Sequence, residues 1–93
     1  MQPNLLILGG TAEASALAQI IAKTQIKARL SYAGRVERPL PQSLEMRVGG
    51  FGGVAGLATY LRQEKITHLV DATHPFAAQM SRNALMACTQ ADV

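Results

Sequence analysis

At 93 residues the chain has the length of one small domain, which buries only roughly 60–65% of its unfolded surface. Hydrophobic residues make up 48% and charged residues 16%, which excludes a disordered or low-complexity polymer, and the net charge of +3 with only two Tyr, two Phe and no Trp gives no nucleic-acid-reading surface. The single cysteine, Cys88, excludes an intrachain disulfide, and there is no signal-peptide pattern and no apolar run near the ~20 residues of a membrane span, so a cytoplasmic protein without a membrane partner is expected.

Leu5-Leu6-Ile7-Leu8 is a continuous apolar run, as in a strand buried on both faces of a parallel sheet. Gly9-Gly10 ends it and Thr11 can cap the helix that follows, with Glu13 in its first turn. Leu17, Ile20 and Ile21, with Ala14 and Ala18, form the apolar stripe of that helix, which should end near Lys23-Thr24. Gly9, Gly10 and Thr11 suit close approach of the backbone to a phosphate at a helix N-terminus, although they are not the G-x-G-x-x-G fingerprint, and a plain strand-to-helix turn reads the same way.

Ile26 to Tyr32 alternates apolar residues with Lys27, Arg29 and Ser31, which predicts a strand with one wetter face, near an edge of the sheet. Ala33 to Ser43, with Gly34, Pro39 and Pro41, reads as a loop. In dinucleotide folds the end of the second strand reads the adenosine ribose, and Ser31 with Arg35 in place of an acid suits a 2′-phosphate, hence NADP rather than NAD. The alternative is that Arg35 only solvates a loop or binds substrate. Lys27, Arg29, Arg35, Arg38 and Arg47 form a basic cluster that attracts phosphates or a polycarboxylate, or else a solvated face.

Leu44 to Val48 is a short third strand, ended by Gly49-Gly50-Phe51-Gly52-Gly53. Glycines at Gly50 and Gly52 are costly in an ordered loop. Their use is close backbone approach to a ligand, with Phe51 as an apolar wall or lid; the alternative puts Phe51 in the core. Leu57, Tyr60 and Leu61 mark a second helix, and Ile66 to Val70 a fourth strand ending in Asp71. His68 is expected at the surface. Pro75 fits the first turn of a third helix, on which Met80, Ala84, Ala87 and Cys88 share one face, with Cys88 in the core. Asp71, Thr73 and His74 gather functional groups at this strand end. His74 could donate to phosphate, carboxamide or carboxylate, relay a proton, or simply bond the backbone.

The order β-α-β-loop-β-α-β-α predicts an α/β, Rossmann-like, mainly parallel sheet with flanking helices, and a fifth strand would be expected beyond Val93. No metal-ligand spacing and no serine or cysteine nucleophile signature occurs. A short-chain reductase is disfavoured because Tyr60 is followed by Glu64 where a Tyr-x-x-x-Lys pair needs lysine.

LILGGTAEA (6–14), AGR (33–35), RVGGFGG (47–53) and DATHPFA (71–77), in this order across essentially the whole chain, resemble the precorrin-6A reductase family of corrin biosynthesis. The resemblance implies an N-terminal Rossmann-like NADP(H)-binding domain over residues 1–93, with a second domain absent, that is, the cofactor half of a two-domain oxidoreductase. It implies reduction by NADPH (NADH being the variant) of a C=C bond of the tetrapyrrole precorrin-6A, or its cobalt form, to precorrin-6B. Gly9, Gly10 and Thr11 would contact the pyrophosphate, Ser31, Gly34 and Arg35 the adenosine side, Gly50, Phe51 and Gly52 the nicotinamide half, and Thr73 and His74 the cleft, with His74 the candidate catalytic group. The alternative is a catalytically inert dinucleotide-binding module that assembles with a separate partner chain.

Overall fold

The computed structural model describes residues 2–32 and 43–93. Gly34, Arg35, Arg38 and the loop expected around them lie outside the described residues. Within them the chain runs β1 (Asn4–Leu8), α1 (Ala12–Ala22), β2 (Lys27–Tyr32), β3 (Glu45–Val48), α2 (Gly53–Gln63), β4 (His68–Asp71) and α3 (Ala78–Ala91). The strands lie in the order β3-β2-β1-β4, and every pairing is parallel. This is the Rossmann-like α/β sheet the alternation predicts.

Register decides which side chains meet which helix. Leu6 aligns with Arg29 and Leu69, Leu8 with Ser31 and Asp71, and Ser31 with Arg47. Neighbours in register point to the same side, so these residues share the face covered by α2 and α3. There Leu6 and Leu8 pack with Leu57, Ala58, Leu61, Ile66, Ala84 and Ala87. On the other face Ile7, Leu30 and Tyr32 pack under Ala14, Ala18 and Ile21 of α1. Leu6, Ile7, Leu8, Leu30, Leu57 and Leu61 are each no more than 1% exposed, and burying such a side chain stabilises the fold by roughly 1.5–3 kcal/mol.

Thr11 caps α1: its hydroxyl accepts from the Ala14 N–H at 3.1 Å. The stripe of α1 is narrower than its sequence suggests. Ile20, expected in it, is 63% exposed, because it lies one residue, or about 100°, round the helix from Ile21.

Two further expectations are corrected. β2 lies between β1 and β3, one strand in from the edge, but its alternating face is not the wet one expected. Its polar side faces α2 rather than water: Arg29 donates to the Tyr60 hydroxyl at 2.6 Å and to Glu64 at 2.8 Å, with Glu45 at 3.5 Å. These partners, Glu64 first and then Tyr60, hold the Arg29 guanidinium charged against the desolvation it suffers there. Pro75 is not in the first turn of α3, which begins at Ala78. It sits in a preceding turn closed by the Ala77 N–H donating to the His74 carbonyl at 2.8 Å. Cys88 packs half-buried against the core, and His68 is exposed.

Candidate functional site

In a parallel sheet all strands end on the same edge. Here Leu8, Tyr32, Val48 and Asp71 finish together, so the segments 9–11, 49–53 and 72–77 leave the sheet along one rim. The strand order reverses at β1, whose neighbours are β2 and β4. That is the switch point at which open α/β sheets form a crevice. The crevice lies between the β1–α1 and β4–α3 connections and is lined by Gly10, Thr11, Glu13, Asp71, Thr73 and His74, among others.

The β1–α1 turn is built on two glycines for two reasons. A Cβ on Gly9 would come within 2.8 Å of Leu30 Cδ1, so the buried Leu30 side chain would have to shift to admit one. Gly10 has φ +106°, a conformation that other residues rarely adopt. Thr11 then does more than cap α1: its hydroxyl donates to the Ala72 carbonyl at 2.6 Å. Its hydrogen is therefore engaged across the crevice. What α1 offers an anion is the remaining N–H groups of its first turn, which have no partner within the helix. Glu13, in that same turn, sets a negative charge beside them.

On the β4 side Asp71 organises the loop. Its Oδ1 accepts from the Thr73 hydroxyl at 2.6 Å and the Thr73 N–H at 3.1 Å, and its Oδ2 from the Ser81 hydroxyl at 2.5 Å. Partial burial opposes ionisation, but the bonds from Ser81 and then Thr73 outweigh it and hold the carboxyl below its ordinary value. Thr73 is thus tied to Asp71. His74 is exposed; its Nδ1 accepts from the Phe76 N–H at 3.2 Å and its ring stacks on Phe76 at 4.9 Å. That bond places the proton of a neutral imidazole on Nε2.

The glycine loop after β3 is bare on its outer side. A Cβ on Gly49, Gly50 or Gly53 would meet nothing within 4 Å, and Gly49, Gly52 and Gly53 all have positive φ. Backbone without side chains, facing open space, fits an extended ligand that must come close. Phe51 turns the other way. Its half-buried ring packs edge-on against Tyr60 at 5.1 Å and beneath the Arg47 guanidinium at 4.0 Å. Ser31 is buried and its hydroxyl accepts from Arg47 at 3.3 Å.

The rim thus gathers Gly9, Gly10, Thr11, Gly50, Gly52, Thr73 and His74, while Phe51 and Ser31 sit behind it. The expected basic cluster does not form among the described residues. Lys27 begins β2 at the opposite edge, Arg29 is paired with Glu64, and Arg47 is bonded to the loop it precedes. Two further residues matter here: Arg47, which reads from the sequence only as one of a basic cluster and as the start of RVGGFGG, and Gly56, which is not singled out there. Arg47 lies in register with Ser31, immediately before the glycine loop. Gly56 lies inside α2, where a Cβ would fall 1.7 Å from the Phe51 carbonyl oxygen. A glycine in a helix interior costs about 1 kcal/mol relative to alanine, and that cost was the available signal for Gly56.

Among the described residues no group of three or more His, Cys, Asp or Glu is placed to hold a metal ion. No helix there is long and apolar enough to cross a membrane.

The chain is similar to known proteins. The family model described as Precorrin-6x reductase CbiJ/CobK matches residues 4–93. The chain is 58% identical over 90 residues to a precorrin-6A reductase of Rhodobacter capsulatus, covering 97% of this chain and 36% of that protein. A precorrin-6A reductase of a Sinorhizobium species is 48% identical over 93 residues, covering 99% and 36%. A cobalt-precorrin-6A reductase of Salmonella typhimurium is 29% identical over 91 residues, covering 97% and 35%. A solved structure titled CobK precorrin-6A reductase superposes with a TM-score of 0.96 at 56% identity, covering 99% of this chain and 37% of that one. The chain therefore spans about 36% of the length of the first two of these relatives.

Proposed function

The chain belongs to the precorrin-6x reductase family, and on that premise we propose that residues 1–93 form an NADP(H)-binding domain working in the reduction of precorrin-6A, or its cobalt form, to precorrin-6B in cobalamin biosynthesis. The observation that carries the reading is the shared rim: glycine-bearing exits from β1 and β3 and the β4 exit end on one edge of a parallel sheet. The bound nicotinamide would supply the hydride that reduces a C=C bond of the macrocycle.

The protein's part is positioning. The first-turn amides of α1, reached past Gly9, Gly10 and Thr11, hold the pyrophosphate. On the adenosine side Arg35, with Gly34, takes the 2′-phosphate, and Ser31 acts from behind through Arg47. The β3 exit lies beyond β2, away from the crevice, so the bare backbone at Gly50 and Gly52 runs beside the adenosine side rather than the nicotinamide half, with Phe51 as the packed wall beneath it. Thr73 and His74 line the crevice. His74, whose Nδ1 accepts from the Phe76 N–H, presents Nε2 there as a hydrogen-bonding group for a carboxamide or an acidic side chain of the substrate.

Calorimetric titration tests this. NADPH should bind more tightly than NADH, and Arg35→Ala should remove most of the difference. No binding of either dinucleotide overturns the reading. Binding without reduction of the macrocycle by this chain alone would select the binding-module alternative, in which a separate chain completes the cleft.

A further inference from the structure

Arg47 ends its side chain beneath the glycine loop with three acceptors around it. Nη1 donates to the Gly49 carbonyl at 2.9 Å and to Ser31 Oγ at 3.3 Å, and Nη2 donates to the Gly50 carbonyl at 3.4 Å. The guanidinium also lies flat enough to meet two rings, its carbon 4.0 Å from the Phe51 centroid and 5.0 Å from that of Tyr60. Phe51 is seated by Tyr60 on one side and by its own carbonyl, which approaches α2 so closely that only glycine fits at Gly56. Arg47 is therefore held in place by both strand and helix.

A trans peptide unit points its C=O and the next residue's N–H in opposite directions. Two adjacent carbonyls drawn toward Arg47 consequently turn the N–H groups of Gly50 and Phe51 away from it, to the outer side of the loop. The Gly49 N–H is not part of this pair, because it donates to the Tyr32 carbonyl at 2.8 Å. A Cβ at Gly50 would meet nothing within 4 Å, and among the described residues no backbone carbonyl accepts from the Gly50 or Phe51 N–H.

We infer that Arg47 is a positioning residue that presets the Gly50 and Phe51 N–H groups as paired donors to an oxygen of the bound dinucleotide. This rests on the dinucleotide reading above and adds how the loop is held. Three of its five guanidinium N–H donors are committed to Gly49, Gly50 and Ser31, which assigns Arg47 to the loop rather than to the ligand's phosphates. Its planar, forked shape is what the task needs. A lysine ammonium is a compact, strongly hydrated point charge without a planar fork, so it does not reproduce this geometry.

The test compares the 93-residue chain with Arg47→Met and Arg47→Lys. In ¹H–¹⁵N spectra of the ligand-free protein, the Gly50 and Phe51 amide signals should move in both variants. Affinity for NADPH and for NADH should fall together by roughly tenfold or more in both, and the dependence of NADPH affinity on salt should keep its wild-type slope. Unmoved amide signals, wild-type affinity in Arg47→Met, or rescue by Arg47→Lys overturns the inference. A salt slope lowered by about one charge does so too, since that marks a direct phosphate contact. Absence of dinucleotide binding in the wild-type chain would count against the proposed function instead, and the ligand-free amide signals would still decide whether Arg47 sets the loop. Should Arg47→Met fail to fold, Arg47→Lys carries the same comparisons.

Discussion

The Thr11 hydroxyl donates to the Ala72 carbonyl at 2.6 Å while accepting from the Ala14 N–H at 3.1 Å. One oxygen thus starts α1 and ties the β1 exit to the β4 exit, 61 residues along the chain. The bond spans the crevice at the switch point, between the β1–α1 and β4–α3 connections.

Thr11→Val keeps the shape and removes both bonds. Loss of the cap costs about 1 kcal/mol and loss of the crosslink about another 1 kcal/mol. Urea unfolding should show a drop of about 2 kcal/mol, while Thr11→Ser, which retains the hydroxyl, should stay within about 0.5 kcal/mol of wild type. Equal stability of Thr11→Val and wild type would mean that the bond contributes nothing in solution.

Two glycine substitutions should separate packing from binding. Gly56→Ala drives a Cβ to 1.7 Å from the Phe51 carbonyl oxygen, which forces backbone apart at a cost of roughly 2–3 kcal/mol. Gly50→Ala meets nothing within 4 Å and has no positive φ to oppose it, so stability should change by no more than about 0.5 kcal/mol. Its effect should appear as weaker NADPH binding, because the added methyl occupies the open side of the loop. Denaturant melts and calorimetry on the two variants read the two effects independently.

Asp71 should leave an acid-side signature. Although burial pushes its pKa up, the bonds from Ser81 and Thr73 bring it below the ordinary 3.8. A depressed folded pKa contributes stability that is fully present above the unfolded value and is lost as pH falls through the folded one. The urea midpoint of the wild type should therefore decline below about pH 4 more steeply than that of Asp71→Asn, in which this group no longer titrates. Parallel declines would show that the carboxylate is not held by its hydroxyl partners.

Burial raises the Cys88 thiol above its ordinary value, and the thiolate is the reactive form. Alkylation by iodoacetamide at neutral pH should be slower in the folded chain than in urea by roughly tenfold or more. Equal rates would place Cys88 outside the core.

What the sequence made legible was local chemistry. The cap at Thr11, the apolar run of β1 and the glycine punctuation after β1 and β3 each depend on a few consecutive residues, and so could be read from them. β2 shows the limit of such reading. Lys27, Arg29 and Ser31 alternate as they would in a solvated edge strand, yet the partners of Arg29 come from Tyr60 and Glu64, 31 and 35 residues away. Arg47 reads from the sequence only as one of a basic cluster, for a similar reason: its hydrogen-bonding partners at the loop are backbone carbonyls, which carry no sequence signal. Pro75 would have suited a helix start, but the His74–Ala77 turn delays α3 to Ala78. The convergence of the three loops followed from parallel strands alone, whereas the Thr11–Ala72 contact across it needed the strand order.

Whether that rim holds a dinucleotide is tested most directly by ¹H–¹⁵N spectra of the chain recorded during addition of NADPH. The account predicts that shifted amides cluster at residues 9–13, 49–53 and 72–76. Shifts confined to the opposite edge of the sheet, around Asn4, Lys27 and Lys65, or no shifts at saturating NADPH, would contradict it.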